Sequence, residues 1–119
     1  MANVVCIVDD LFFSIKIKTA ARHLGTDVYF ERSGDQALDT IRAQQPRLVI
    51  FDLDAARLRA TEIVAAMRAD PDLGSIDTLG FVSHVHADTI AAARAAGVGQ
   101  VLARSAFTTK LESILGPRT

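Results

Sequence analysis

The chain has 119 residues, half of them apolar and 23% charged, with a formal net charge of −1. That is enough for one domain with a real core and too few for two. The near-neutral balance, with no basic stripe, gives no reason to expect nucleic-acid binding.

The β-branched run Val4 to Val8 suits a strand buried on both faces. It is short and stops at two aspartates, so it is not read as a secretory signal. Cys6, the one cysteine, lies in this run and cannot form an internal disulfide, which suits a reducing compartment. No stretch is long enough to cross a bilayer, and a cytoplasmic location is the default expectation. Phe13, Ile17, Ala20, Ala21 and Leu24 recur at helical spacing, and Gly25 closes that helix. Val28 to Phe30 is a short second strand. Ser33 with Gln36 three residues later predicts a capping box and a helix from about Gly34 to Ala43. Pro46 ends the connection, and Leu48 to Phe51 is a third buried strand ending at Asp52.

A helix is expected from about Arg57 to Ala69, with Ile63, Val64 and Met67 inward. Pro71 and Gly74 mark a loop. Leu79 to Val82 is a fourth strand, Thr89 to Ala96 an Ala-rich helix ended by Gly97, and Val101 to Ala103 a fifth strand. Phe107, Leu111, Ile114 and Leu115 make a last helix, which Pro117 ends. The pattern is βα repeated five times. Strands joined by helices run parallel with right-handed crossovers, giving an α/β fold: a doubly wound, flavodoxin-like five-stranded parallel sheet of order 2-1-3-4-5. With no linker, repeat or low-complexity tract, residues 1–119 are expected to form a single domain that is the whole protein.

Sites on such sheets form at the carboxyl ends of strands where the order reverses, here between strands one and three. Asp9 and Asp10 end strand one and Asp52 ends strand three, so three acids converge. They would repel and raise one another's pKa values, and a hard divalent cation such as Mg²⁺ is a natural remedy.

With those residues in place, the chain resembles, over essentially its whole length, the receiver domain of bacterial response regulators (the CheY-like family). The resemblance implies a phosphoryl group accepted on Asp52 from a histidine kinase or histidine phosphotransfer protein. It implies Mg²⁺ held by Asp9, Asp10 (the more direct ligand) and Asp52, with the backbone carbonyl of Asp54. It gives Ser83, ending the fourth strand, and Arg104, ending the fifth, the phosphoryl oxygens as partners; Arg104-Ser105-Ala106-Phe107 resembles the Lys-Ser-x-Phe variant of that region. Such a protein is a phosphoacceptor rather than a turnover enzyme. It signals by binding a downstream protein, and is compatible with a homodimer; neither nucleic acid nor membrane is an expected partner.

Several positions depart from the family pattern. Arg104 stands where Lys is usual and is planar and bidentate. Ala55 and Ala56 replace a Met-Pro pair, and Ala60 a glycine. His84 replaces a small residue bordering the acceptor. Val101 replaces an inward-turning aromatic, and the stretch from Ser83 to Gly97 is one residue shorter than in many relatives. Phe12 and Phe13 follow the acid pair where a polar residue is common; one is expected in the core and the other beside the pocket. His84 and His86 are read as a solvated loop rather than metal ligands, and His23 as helix surface. The Ala-rich fourth helix with Val101 could offer an apolar face, although ordinary packing accounts for its alanines. These departures favour a rival, a pseudo-receiver that binds partners independently of phosphorylation. Asp52-Leu53-Asp54 also resembles the haloacid-dehalogenase phosphatase motif, but neither its place in the chain nor the chain's length fits that family, and a small phosphatase ranks last.

Overall fold

A computed structural model describes residues 2–83 and 86–116; the expectations for His84 and Pro117 lie outside them. The strands are β1 (Val4–Ile7), β2 (Val28–Glu31), β3 (Leu48–Asp52), β4 (Asp77–Val82) and β5 (Gln100–Ala103). The helices are α1 (Leu11–Leu24), α2 (Ala37–Gln44), α3 (Ala60–Ala69), α4 (Ala87–Ala96), α5 (Arg104–Thr109) and α6 (Leu111–Leu115). Every strand pair is parallel and the order is β2-β1-β3-β4-β5, as the βα alternation predicts. Among the described residues, no helix is long and apolar enough to cross a membrane.

Strand alternation divides the core between the two faces of the sheet. Val5, Ile7, Val49, Phe51 and Val82 pack with Ile41 of α2 and Ile63, Val64 and Met67 of α3. Val4, Cys6, Leu48, Ile50, Leu79 and Phe81 pack with Phe13 and Ile17 of α1 and with Phe107, Leu111 and Leu115. Burial pushes the Cys6 thiol pKa up, so it stays a protonated apolar residue. The register aligns Ile7 with Phe51 and Asp52 with Phe81, so the chain beyond β1, β3 and β4 emerges at one edge.

Three local expectations are corrected. Ser33 makes no side-chain cap; its backbone N–H donates to Glu31 Oε2 at 3.1 Å, Gly34–Gln36 forms a 3₁₀ turn, and the helix starts at Ala37. Packing fixes this turn, because a Cβ on Gly34 would lie 2.6 Å from the Leu58 carbonyl oxygen. The helix expected from Arg57 is a 3₁₀ turn, Ala56–Leu58, followed by Arg59 in the left-handed region at φ 53°, with α3 starting at Ala60. The single last helix is interrupted at Lys110 (φ −95°, ψ 7°), which separates α5 from α6.

At the far end of the sheet Arg68 is a strap. Its guanidinium donates to the carbonyls of Gly97, Gly74 and Ile76 at 3.0, 2.8 and 2.9 Å and to Thr78 Oγ1 at 2.8 Å.

The contact between Gly34 and Leu58 ties the end of β2 to the loop that follows Asp52. Gly34→Ala is expected to cost about 1–3 kcal/mol through overpacking against backbone. Denaturant unfolding measures it, and an unchanged midpoint would show that the two loops do not bear on each other.

Candidate functional site

The site begins with local helix chemistry. Asp10 is the N-cap of α1, in extended conformation, and its Oδ1 accepts from the Phe13 N–H at 3.1 Å. This satisfies one of the open donors of the first turn and aims the carboxylate across the edge of the sheet. Asp52, the last residue of β3, is buried, with a side chain only 4% exposed. Its Oδ1 accepts from the Asp54 N–H at 3.0 Å. Arg104 follows β5 directly and opens α5.

The Arg104 guanidinium faces three acids. Nη1 lies 3.6 Å from Asp10 Oδ2, Nη2 lies 3.5 Å from Asp52 Oδ2, and Nε donates to Asp54 Oδ2 at 3.2 Å. The guanidinium lies over aromatic rings, with its central carbon 4.6 Å from the Phe13 centroid and 5.4 Å from that of Phe81. Phe13 stacks on Phe81, and Phe81 on Phe107, at 4.8 and 4.7 Å between centroids. A guanidinium gains from both stacking and in-plane hydrogen bonding, which an ammonium cannot do together. Phe13 is thus the core member of the phenylalanine pair. Phe12 is 66% exposed, and Lys16 Nζ lies 4.9 Å from its ring centroid.

Asp54 was expected to contribute only its backbone carbonyl, but its side chain sits at the centre of the site. Oδ2 accepts from the Ser83 N–H and from Ser83 Oγ, each at 3.0 Å. The Oδ1 atom lies 3.1 Å from His86 Nδ1, a donor in its Nδ1–H tautomer. Ser83 and Arg104, the two residues expected to hold phosphoryl oxygens, are therefore both on Asp54. His86 is, as expected, an exposed loop residue at the start of α4, and in addition it contacts Asp54, while His23 is exposed on α1 as expected. Val101 packs on the core cluster beneath α3 and α4 and brings no ring to this edge.

The acids differ in proton affinity. Burial raises the Asp52 pKa, and the nearby Asp54 and Asp10 charges add to it; the Asp54 N–H and Arg104 oppose the shift without cancelling it. Burial also pulls at Asp54, but the bonds from Ser83 and His86 and the Arg104 charge outweigh it and hold its pKa below the ordinary value. Asp9 is lowered chiefly by its hydrogen bond from Arg57; burial opposes this, and the Arg57 and Arg32 charges add to the lowering. Arg57 comes from the turn after β3, and Arg32 Nε lies 3.8 Å from Asp9 Oδ1.

Among the described residues, no group of three or more His, Cys, Asp or Glu side chains is placed to hold a metal ion, and Asp9, expected beside Asp10 and Asp52, pairs instead with Arg57 and Arg32. Mg²⁺ does not require three such side chains, since it commonly takes one or two carboxylates and keeps several waters. Asp10 and Asp52 each face a different nitrogen of the Arg104 guanidinium, and their donors are hard oxygens of the kind Mg²⁺ takes. The donor chemistry, two hard carboxylates at the switch point, suits such a cation.

No family model matches the chain, and no curated protein matches it. Solved structures do. A response regulator from Hahella chejuensis superposes with a TM-score of 0.85 at 18% identity, covering 97% of this chain and 92% of that one. The receiver domain of the sensor histidine kinase PA1611 from Pseudomonas aeruginosa PAO1, with a magnesium ion coordinated in its active-site cleft, gives 0.83 at 18% identity, with coverages of 96% and 93%. The phosphorylated cyanobacterial phytochrome response regulator RcpA gives 0.79 at 21% identity, with coverages of 96% and 88%. Identities this low carry architecture rather than chemistry. The chain has the fold of response regulator receiver domains.

Proposed function

We propose that this protein is a cytoplasmic phosphoacceptor receiver that takes a phosphoryl group on Asp52 and signals by binding another protein. The observation that carries this is the buried Asp52 carboxylate at the end of the central strand, at the reversal of strand order, beside Asp10 and Arg104. An Asp52 oxygen attacks phosphorus in line, and the P–N bond of a phosphohistidine on a kinase or phosphotransfer protein breaks. The electron pair stays on the imidazole nitrogen, which takes up a proton, and an acyl phosphate remains on Asp52. Arg104 neutralises charge on the transferring group, and Ser83 offers it an N–H and a hydroxyl. Mg²⁺, held by Asp9, Asp10 and Asp52 with the Asp54 carbonyl, would supply further charge compensation. Redirecting Ser83 and Arg104 toward Asp52 would bias the surface of α4, β5 and α5 between two states.

The second reading is a phosphorylation-independent binding module. It is favoured by the charge saturation of the site: Asp9 has Arg57 and Arg32, and Asp10, Asp52 and Asp54 share Arg104. The two separate when the protein is incubated with Mg²⁺ and acetyl phosphate and weighed intact. A phosphoryl adduct on the wild type that is absent in Asp52→Asn is expected. No adduct, while a control receiver is labelled, supports the binding module.

Asp52 also makes stability depend on pH. Its folded-state pKa lies above the unfolded value of about 3.9, so stability falls as pH rises from that value through the folded pKa. In metal-free buffer Asp52→Asn removes this loss. It should melt higher than wild type at pH 7, by about 4 °C for each kcal/mol regained, with the difference shrinking toward pH 4. A lower melting temperature at pH 7 would show that Asp52 is instead stabilised as an anion.

A further inference from the structure

The Asp54 side chain has no part in phosphoryl transfer as set out above, yet it is the most heavily hydrogen-bonded carboxylate of the site. Its two oxygens face four donors: the Ser83 N–H, Ser83 Oγ, His86 Nδ1 and Arg104 Nε, at 3.0 to 3.2 Å. These come from the end of β4, the start of α4 and the end of β5, the segments a phosphoryl group on Asp52 would have to recruit. A carboxylate and a phosphoryl group ask for the same thing, several charge-assisted donors around anionic oxygens. Here that demand is met from two residues along the same chain, and Asp54 is anchored there by its own N–H, which donates to Asp52.

We propose that the Asp54 carboxylate is an internal competitor for the phosphoryl group, occupying Ser83 and Arg104 in the unphosphorylated protein so that phosphorylation must displace it. The proposal rests on the phosphoacceptor reading of Asp52. Two consequences follow from the geometry. Phosphoryl acceptance is slow, because Ser83 must leave Asp54 and Arg104, although Nη2 already faces Asp52, must give up its Nε–H bond to Asp54 before both turn fully to the phosphoryl group. The ends of β4 and β5 that they carry, and the start of α4 through His86, are also held toward the site before any phosphorylation, so removing Asp54 releases them.

The test uses Asp54→Asn and Asp54→Ala. Asn keeps the size and an acceptor for Ser83 but removes the charge. Ala removes both and keeps the backbone carbonyl and the N–H to Asp52. With Mg²⁺ and acetyl phosphate, time courses of intact mass should show both variants labelled about tenfold faster than wild type. That corresponds to about 1.4 kcal/mol, the scale of one charge-assisted hydrogen bond given up. Thermal melts confirm that each variant is folded at the assay temperature; if Ala is not, the near-isosteric Asn decides. Labelling of the variants at or below the wild-type rate overturns the competitor and leaves the acceptor in place. Labelling of the variants with none of the wild type overturns the acceptor reading of the wild-type protein, and with it a competitor that phosphorylation displaces. No labelling of any of the three, beside a working control receiver, overturns the acceptor reading and the competitor with it.

Discussion

The edge of this sheet is held together by one planar cation. At about 4 Å, a pair of opposite unit charges near a protein surface is worth about 4 kcal/mol before desolvation, and Arg104 makes contacts of that kind with Asp10, Asp52 and Asp54. Without it, Asp52 would be a buried anion whose charged neighbours include only other acids on the adjoining strand ends, and such a group protonates rather than remain charged. Arg104 opposes the upward shift that burial imposes on Asp52, and its pKa stays raised. The guanidinium can do this because the strand order sets β1, β3 and β4 side by side, with β5 following immediately.

Two departures from the receiver pattern that look independent in the sequence are coupled in space. Arg in place of Lys supplies a flat cation, and Phe13 in place of a polar residue supplies a flat surface beneath it. Phe13 is fixed from both sides, by its N–H on the Asp10 cap and by its ring on Phe81 and Phe107. The same aspartate that faces Arg104 therefore also sets the floor on which Arg104 rests. A compact ammonium at this position would lose the stacking and could not span three carboxylates.

The sheet was legible because its information is local and periodic. Buried runs such as Val4 to Val8 and Leu48 to Phe51 state their own strand, and the helices between them leave only parallel pairing. Asp52 was legible because the end of β3 maps directly onto the switch point, and Asp10 because it follows β1 at the start of α1; Asp9, expected with them, instead pairs with Arg57 and Arg32, which only the fold brings to it. Element ends were less so: Ser33 has the sequence of a cap, but tertiary packing of Gly34 on Leu58 decides the turn. The side-chain role of Asp54 was hidden for another reason. Its partners Ser83, His86 and Arg104 lie 29, 32 and 50 residues away, and no spacing rule reports which of two neighbouring acids, Asp52 or Asp54, a distant donor will choose. Arg68 is similar: it reads as an ordinary helix-surface arginine, and only the fold shows its four acceptors.

The most direct measurement is the Arg104 side-chain Nε–H signal in ¹⁵N–¹H spectra of metal-free protein at neutral pH, assigned by its loss in Arg104→Lys. If Arg104 is clamped between the acids and the aromatic stack, this proton exchanges slowly with water, and its shift moves in Asp54→Asn while staying nearly fixed in Asp9→Asn. An Arg104 Nε–H that exchanges as fast as that of the exposed Arg22, and that ignores Asp54→Asn, would contradict a site organised by that guanidinium.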